Sequence, residues 1–393
     1  MKYDFTTLID RSNQGSFKWN GMKRLYPDVP SGIVPFSVAD MELKNPPEVV
    51  EGLKKYLDEA ILGYTGPTEA YYDAIVQWMK RRHNWNIQPE WIVTSSGVVT
   101  AFQAAIKSVI QPKDGVIVLS PVYYPFYSAI KRFGGNTVCV ELLNECGKYS
   151  IDFEALEEAC KDDNNKLLLF CSPHNPVGRV WTKEELEKIG KLCLDYGLVI
   201  ISDEIHHDLV LSKAKHTVFA TLSDELAQRM IVCTSPSKTF NLAGMQTSNI
   251  VIPNEFLRKN FSNALNEISK SGLNALGYKA CELAYNYSEQ WLDELLKLIE
   301  HNCELVCKCM NTYFPEVVVS PLEGTYLLWL DFRAFGLSKE ALEEKMIKEA
   351  LWFTDEGYLF GEAGIGFERI NLACPSWVLE EALIRLRKAF DRI

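Results

Sequence analysis

Seven short apolar runs, separated by segments of helix length, are the feature that most constrains the fold of this chain. They lie at residues 91–94, 116–119, 138–140, 167–171, 198–202, 230–234 and 249–252. Several are continuously apolar rather than alternating, which is typical of strands that helices cover on both faces. The spacer at 183–196 places apolar side chains at helical spacing. The pattern predicts an α/β fold with a mostly parallel central sheet covered by helices.

The chain's 393 residues exceed what one core usually fills, so we expect two domains, or one large domain with a lobe built from both termini. After about residue 255 the pattern changes to a long amphipathic segment, alternating strands and a final helix. These occupy residues 288–314, 317–320 with 325–331, and 379–393. We predict a smaller α+β domain built from the two termini. The predicted division is an N-terminal segment at 1–45 that joins the small domain, a large ligand-binding domain at 46–288 and a small C-terminal domain at 289–393.

Charge and composition argue against several classes of partner. The formal net charge of −11, from 41 basic and 52 acidic side chains, disfavours nucleic acid and anionic membranes. No apolar run approaches the roughly 20 residues of a membrane span, and the charged N-terminus does not resemble a signal peptide. The eleven cysteines form no CxxC pair and mostly lie in apolar runs, as in a reducing compartment. We therefore expect a cytoplasmic protein.

Two groups of side chains have metal-ligand chemistry but lack the spacing of a metal site. Cys303, Cys307 and Cys309 lie on one predicted helix, where Cys309 points away from the other two. His206 and His207 are adjacent, and the sequence offers them no clear third ligand. We therefore expect no metal site.

Polar and aromatic side chains follow the ends of five of the apolar runs. Ligands of an open parallel sheet bind beyond the carboxyl ends of its strands, so we expect these side chains to lie together. They are the turn at 95–97 before a helix, Tyr123 with Tyr124, Asn175, Asp203 with His206, and Ser235, Ser237 and Lys238. Each has an ordinary explanation alone, such as a strand–helix turn, packing, a helix cap or a surface lysine. As a set, however, they match one ligand.

That ligand is pyridoxal 5′-phosphate. Its aldehyde requires a neutral lysine amine, and Lys238 leaves a buried strand where desolvation lowers its pKa. Its ring nitrogen requires a carboxylate, which Asp203 offers. Its phosphate suits free backbone N–H groups at a helix start, here residues 97–98. Its flat ring and phenolic oxygen suit an aromatic ring and an amide donor, here Tyr123 and Asn175.

Ten motifs, in order along the chain, resemble those of fold-type I pyridoxal-phosphate enzymes of the class I/II aminotransferase superfamily. They are DRSNQGSFKWN, SVADMELKNPPEV, GYTGPTEAYYDAI, SSGVVTA, SPVYYPF, SPHNPVGRVW, SDEIHHDL, SPSKTFNLAGMQ, EGTYLLWLDFR and GFERINLACP. Within that superfamily the chain is most similar to the MalY/PatB group of cystathionine β-lyases, also called cysteine-S-conjugate β-lyases. The resemblance extends nearly end to end and implies the fold of that superfamily.

The resemblance implies roles for individual residues. It implies catalytic roles for Lys238, Tyr123 and Asp203, with Lys238 as the Schiff-base lysine. It implies cofactor contacts at Gly97, Val98, Val99, Tyr123, Asn175, Asp203, His206, Ser235, Ser237 and Lys238. Arg369 is similar to the arginine that grips the substrate α-carboxylate with a bidentate fork. Tyr64 is similar to a tyrosine that reaches the phosphate of a neighbouring subunit, which implies a homodimer with shared active sites.

Two positions depart from the pattern of aspartate aminotransferases. His206 stands where many of those enzymes carry a tyrosine, and Gln246 stands where many carry an arginine on the phosphate. Both differences agree with the lyase branch of the superfamily. The second difference, Gln246 in place of an arginine, leaves less formal positive charge beside the phosphate.

The expected reaction is α,β-elimination from a cysteine S-conjugate such as cystathionine, which yields a thiol, pyruvate and ammonia. Lys238 removes the α-proton, and either Lys238 or Tyr123 protonates the leaving sulfur. An amino-acid aminotransferase is the alternative, and a regulatory protein that uses the cofactor for structure or sensing is a third hypothesis. The physiological sulfur substrate stays open, because no second arginine can be assigned to a distal carboxylate.

Overall fold

The structure is a computed structural model that describes residues 2–269 and 272–392. Its strands are β1 (Ile92–Ser95), β2 (Gly115–Ser120), β3 (Asn136–Glu141), β4 (Leu143–Glu145), β5 (Lys148–Ser150), β6 (Asn165–Cys171), β7 (Val199–Asp203), β8 (Met230–Thr234), β9 (Ser248–Val251), β10 (Val318–Val319), β11 (Leu327–Asp331), β12 (Asp355–Glu356) and β13 (Phe367–Asn371). Its α-helices are α1 (Phe17–Leu25), α2 (Pro47–Glu59), α3 (Glu69–His83), α4 (Val98–Val109), α5 (Pro125–Arg132), α6 (Phe153–Lys161), α7 (Lys183–Asp195), α8 (Asp224–Ala227), α9 (Pro236–Thr239), α10 (Glu255–Ile268), α11 (Ala275–Tyr287), α12 (Glu289–Tyr313), α13 (Lys339–Glu344) and α14 (Ser376–Ala389).

The central sheet has the strand order β1-β9-β8-β7-β6-β2-β3. Each of its strands coincides with one of the seven predicted runs to within two residues at either end. All neighbouring pairs are parallel except those of β9, which is antiparallel to β1 and β8. The connection from β8 to β9 carries the four-residue helix α9 and one 3-10 turn at Ala243–Met245, without a long crossover helix, so β9 returns in the opposite direction. The predicted fold class is confirmed.

Alternate residues of the central strands face two separate apolar layers. Leu167 and Leu169 of β6 pack in the layer formed with α4, α5 and α10. Leu168 and Phe170 of the same strand face the opposite layer, which includes α3, α7 and α11. Because helices cover both faces, the strands carry apolar side chains at consecutive positions rather than at alternate ones.

A second sheet has the order β10-β11-β13-β12 and is antiparallel throughout. The N-terminal segment joins it through backbone hydrogen bonds: Phe36 N–H donates to the Phe353 carbonyl (2.8 Å), and Asn371 N–H donates to the Phe36 carbonyl (3.0 Å). Helices α12 and α14 pack together beside this sheet. The domain boundaries at 1–45, 46–288 and 289–393 stay a prediction. None of the helices in the described ranges has the length and apolar character of a membrane span.

Glu368 of β13 is buried, and burial raises the pKa of its carboxyl group well above the usual value. Since an unfolded glutamate ionises near its ordinary pKa while the folded group keeps its proton, stability falls as pH rises above about 4.5. Glu368→Gln cannot ionise and keeps an acceptor for the Thr354 hydroxyl. We expect it to raise the free energy of unfolding by about 1–2 kcal/mol at pH 8, measured by urea denaturation.

The gain from Glu368→Gln should shrink towards zero at pH 4, where both states of the wild-type side chain are protonated. Glu380→Gln, at an exposed position of α14, is the matched control and should change stability little at either pH. A gain that is the same at pH 4 and pH 8 would contradict the assignment.

Candidate active site

A cavity of about 470 Å³ lies beyond the carboxyl ends of the parallel strands. Its wall includes most of the residues that the sequence analysis selected, namely Gly97, Val98, Val99, Tyr123, Asn175, Asp203, His206, Ser237 and Lys238. Strand register explains this convergence. Cys171 pairs with Asp203, and Asp203 pairs with Cys233, so β6, β7 and β8 end almost level and their following loops open into one space.

The turn from β1 into α4 forms one end of the cavity. Gly97 has φ +113°, a backbone conformation that side chains with a Cβ rarely adopt, and α4 begins at the next residue. The first N–H groups of a helix have no intrahelical partners, and they carry the positive end of the helix dipole. Because Val98 and Val99 are in the first turn and line the cavity, this end suits an anion such as a phosphate.

Lys238 enters the cavity from α9, directly after β8. Ser235 caps this short helix by accepting a hydrogen bond from Ser237 N–H (3.0 Å). The Lys238 amine donates to the Ala39 carbonyl at 2.6 Å. Burial lowers the pKa of Lys238 to about 8, against the opposing effect of Asp40. About half of this amine is therefore neutral at pH 8, which makes the uncharged form that a nucleophile or base requires far more accessible than in an ordinary lysine.

Asp203 is the last residue of β7 and lies at the floor of the cavity. Among the described residues, the hydrogen bond recorded to its carboxylate comes from Ile205 N–H at 3.2 Å. Burial raises the pKa of Asp203 to about 7, although this hydrogen bond and the Lys238 charge oppose the shift. A buried carboxylate with so few donors is stabilised by a cationic ligand group placed against it.

Asn175 and Arg369 form a buried pair that fixes the direction of the amide. Arg369 Nη1 donates to Asn175 Oδ1 at 2.8 Å. Because a guanidinium only donates, the amide oxygen must face Arg369, which leaves the amide nitrogen free to donate to a ligand oxygen. Arg369 also pairs with Asp355, and its guanidinium lies over the Phe360 ring, 4.8 Å from the centroid.

Tyr123 and His206 supply rings to the cavity wall. Burial raises the pKa of Tyr123 well above its usual value, so its hydroxyl keeps its proton at neutral pH. Burial lowers the pKa of His206 well below its usual value, so this ring is neutral. His206 Nδ1 is buried and has no hydrogen-bond partner among the described residues.

Three predicted residues lie outside the wall of this cavity. The Ser235 hydroxyl is buried behind it and donates to the Thr247 carbonyl at 2.6 Å. Arg369 lies behind Asn175 and Asp355. Tyr64 is fully exposed in the loop between α2 and α3.

The sequence analysis missed Ala39, Asp355, Phe360 and Tyr326, which come from the small sheet and the N-terminal segment. These residues follow no central strand, and one of them acts through a backbone carbonyl, so a pattern of strand ends could not find them. Asp355 in the run FTDEGYLF carried no recognisable signal.

The structure brings His83 of α3 beside His207 and Asp208, so three potential ligand atoms lie together, and His206 of the predicted pair is not among them. His83 Nε2 lies 2.7 Å from Asp208 Oδ1. The same carboxylate accepts hydrogen bonds from the Trp78 indole (3.1 Å) and the Thr239 hydroxyl (2.8 Å). With these donors in place the carboxylate is fully hydrogen-bonded, and the cluster is a buried polar network beneath α9. The absence of a metal site stays a prediction.

The donor set of the cavity fits pyridoxal 5′-phosphate. It offers an amine with a lowered pKa, a buried carboxylate that lacks a cation, a directed amide nitrogen and a helix start suited to a phosphate. These groups lie at or just beyond the ends of four different strands, and their functions match four different parts of the cofactor.

Comparisons with known proteins agree with this geometry. The family model "Aminotransferase class I and II" matches residues 31–386. Cystathionine beta-lyase PatB of Bacillus subtilis is 41% identical over 388 residues, which cover 99% of this chain and 100% of that protein. Cystalysin from Treponema denticola, whose crystal structure contains a pyridoxal 5′-phosphate cofactor, aligns with a TM-score of 0.98 and 52% identity, covering 100% of this chain and 99% of that one. The PLP-bound C–S lyase of Staphylococcus hominis aligns with a TM-score of 0.91 and 30% identity, covering 99% and 98%.

Proposed function

The chain belongs to the aminotransferase class I and II family, and on that premise we propose that it is a pyridoxal 5′-phosphate-dependent carbon–sulfur β-lyase. It cleaves cystathionine or related cysteine S-conjugates to a thiol, pyruvate and ammonia. The observation that carries this function is the similarity of the chain, over its full length, to carbon–sulfur lyases. Its cavity also holds the amine, the carboxylate and the amide that the cofactor requires. The predicted family and cofactor are confirmed.

Each cavity group has a proposed part in holding the cofactor. The Lys238 amine would hold the aldehyde covalently, the Asp203 carboxylate would pair with the ring nitrogen and the Asn175 amide would donate to the phenolic oxygen. The start of α4, with Gly97, would receive the phosphate. When bound, pyridoxal 5′-phosphate withdraws electrons and so stabilises the negative charge left on Cα when the substrate loses a proton.

The chain's own residues then perform the elimination. Arg369 binds the α-carboxylate and orients the Cα–H bond. The resemblance to lyases supports this role, and so does the Nε of Arg369, which is buried without a hydrogen-bond partner within the described residues. Once the substrate amine has displaced Lys238 from the cofactor, the freed, neutral amine of Lys238 takes the α-proton. The C–S bond then breaks, its electron pair leaves with sulfur, and a proton from Lys238 or the Tyr123 hydroxyl neutralises the thiolate. The remaining three-carbon fragment takes up water and leaves as pyruvate and ammonia.

Purified protein incubated with cystathionine and no 2-oxo acid tests the function. Catalytic release of pyruvate and of a free thiol, measured with lactate dehydrogenase and a thiol reagent, is the result that we expect. Turnover only after a 2-oxo acid is added would instead establish the aminotransferase. Cofactor binding without any turnover of either kind would favour a sensing role.

We also propose a homodimer with shared active sites. The loop between α2 and α3 exposes Ile61 and Tyr64 almost completely. Exposed large side chains next to one another are typical of a surface that a second copy covers. Light scattering is expected to give twice the chain mass, and Tyr64→Ala should weaken cofactor binding. A monomer with full activity would contradict this proposal.

A cytoplasmic location is the last part of the proposal. All eleven cysteines, each within the described ranges, are free thiols. A chain with this many unpaired thiols suits a reducing compartment.

Gly97→Ala tests the phosphate end. A Cβ at Gly97 meets no atom within 4 Å, so the substitution acts only through the backbone conformation at φ +113°. Because that conformation costs an alanine on the order of 1–3 kcal/mol, we expect cofactor affinity to fall by about 10-fold or more. Fluorescence titration of the apoprotein measures the change. Gly21→Ala in α1 is the control, because a Cβ at Gly21 also meets no atom within 4 Å, and it should leave the cofactor affinity unchanged.

A further inference from the structure

The N-terminal segment at residues 36–42, here called the strap, crosses from the small sheet to the mouth of the cavity. Its Ala39 carbonyl accepts two hydrogen bonds, from the Lys238 amine at 2.6 Å and from the Tyr326 hydroxyl at 2.8 Å. Tyr326 is fully buried and precedes β11. One backbone oxygen thus joins the reactive amine to a buried phenol.

The strap is held on both sides of Ala39. Val38 has φ +56°, an unfavourable conformation for a β-branched residue that persists only where the surroundings impose it. Val38 N–H donates to Asp355 Oδ2 at 2.9 Å. Asn371 Nδ2 donates to the Val38 carbonyl at 2.9 Å and to the Asp40 carbonyl at 2.6 Å. These bonds direct the Ala39 carbonyl towards Lys238.

Next to Ala39, the Asp40 carboxylate of the strap is paired with two basic side chains. Arg11 Nη2 lies 2.8 Å from Asp40 Oδ2, and Lys18 Nζ lies 3.3 Å from Asp40 Oδ1. Lys18 is buried and also donates to the Asp40 carbonyl at 3.0 Å. Arg11 and Lys18 also pair with Glu42, at 2.8 Å and 3.2 Å, so two cations and two carboxylates are shared in this cluster. Asp40 is therefore partly neutralised, and it attracts a proton on Lys238 less strongly than a lone carboxylate would.

We propose that the Ala39 carbonyl is the docking acceptor of the Lys238 amine during turnover and that Tyr326 is a positioning residue that orients this acceptor. The inference rests on the proposed function, because that function frees the amine from the cofactor while substrate is bound. One N–H of the freed amine bonds to Ala39, which restricts the direction of its lone pair. When the amine takes the α-proton, its bond to the carbonyl becomes charge-assisted and stronger.

Tyr326 also limits how strongly the carbonyl favours the ammonium form. The Tyr326 hydroxyl and the Lys238 amine both donate to the Ala39 carbonyl oxygen and compete for its electron density. Without the phenolic donor, that oxygen accepts more strongly from Lys238 and so stabilises the ammonium form. We therefore expect Tyr326→Phe to raise the pKa of Lys238. The charged and titratable groups that face this amine are Asp40 of the strap, Asp203 and His206 after β7, Asp355 and Arg369 of the small sheet, and Tyr326 itself. None of the others is changed by the substitution.

The test compares wild type, Tyr326→Phe and Tyr285→Phe. The control removes a buried hydroxyl that has no hydrogen-bond partner within the described residues, on a ring that stacks on Trp78 with 5.0 Å between centroids. The first readout is the pH profile of kcat for elimination in the holoenzyme. The second is the pKa of Lys238 in the full-length apoprotein, from the pH dependence of trace acetylation mapped to the Lys238 peptide.

For Tyr326→Phe we expect the Lys238 pKa to rise by about 0.5 to 1 in the acetylation profile, as the loss of one hydrogen bond predicts. The acidic limb of the kcat profile should move in the same direction, kcat should fall about 10-fold and KM should change little. Tyr285→Phe should reproduce wild type in both readouts. An unchanged or lowered Lys238 pKa in Tyr326→Phe would overturn the inference. Because acetylation needs neither substrate nor turnover, this result is distinct from a failure of the proposed lyase activity, which wild-type kinetics would reveal.

Discussion

Lys238→Ala is expected to lower the rate of thiol release by at least about 10⁴-fold, because it removes both the covalent anchor of the cofactor and the base. The visible absorption band of lysine-bound cofactor should also disappear. Borohydride reduction followed by peptide mapping should find the cofactor attached to the 238 peptide in wild type and to no peptide in the variant. Burial lowers the pKa of Lys238, so this amine can lose its proton far more readily than an exposed lysine can.

Lys191→Ala is the matched control for Lys238→Ala. Lys191 lies exposed on α7 with Asp195 as its ionic partner, so its loss should affect neither the spectrum nor turnover. Turnover that survives in Lys238→Ala, or a reduced adduct on another amine, would show that the base is assigned wrongly.

Asp203→Asn should lower elimination by about 10³-fold, since a neutral amide no longer keeps the ring nitrogen of the cofactor protonated. Burial raises the pKa of Asp203 to about 7 in the folded chain, above its value in the unfolded chain. The stability of the apoprotein therefore falls as pH rises from about 4 to 7, and this loss persists at higher pH. Asparagine carries no charge, so the apoprotein variant should be more stable than wild type at pH 8, by about 2–4 kcal/mol.

The role given to Asp203 is tested by two opposite effects of Asp203→Asn, a lower elimination rate and a higher stability of the apoprotein at pH 8. Rates come from the pyruvate assay, and stability comes from urea denaturation of the apoprotein at pH 4.5 and pH 8. Asp195→Asn, an exposed change on α7, should leave both quantities near wild type. A variant that is as active as wild type, or less stable at pH 8, would refute the role given to Asp203.

Much of the large domain could be predicted because its pattern is local. Continuous apolar runs mark strands that are covered on both faces, and residues such as Asn175 and Asp203 follow those runs directly. The reversed direction of β9 could not be predicted in this way, because a strand that is buried on both faces has the same apolar pattern in either direction. The resemblance of ten motifs added Arg369, which lies far from any central strand in the sequence.

The sequence by itself determined the positions of the central strands and their mostly parallel arrangement, the lysine at the end of a strand and the set of chemical groups that one cofactor needs. Each of these depends on residue type and on spacing over a few positions. Only the tertiary structure decided how Arg369 directs the Asn175 amide, how Asp355 and Asn371 hold the strap, and which oxygen receives the Lys238 amine. These contacts join residues 194 to 333 positions apart. Several of them use a backbone carbonyl, which every residue possesses, so no pattern in the chain marks them.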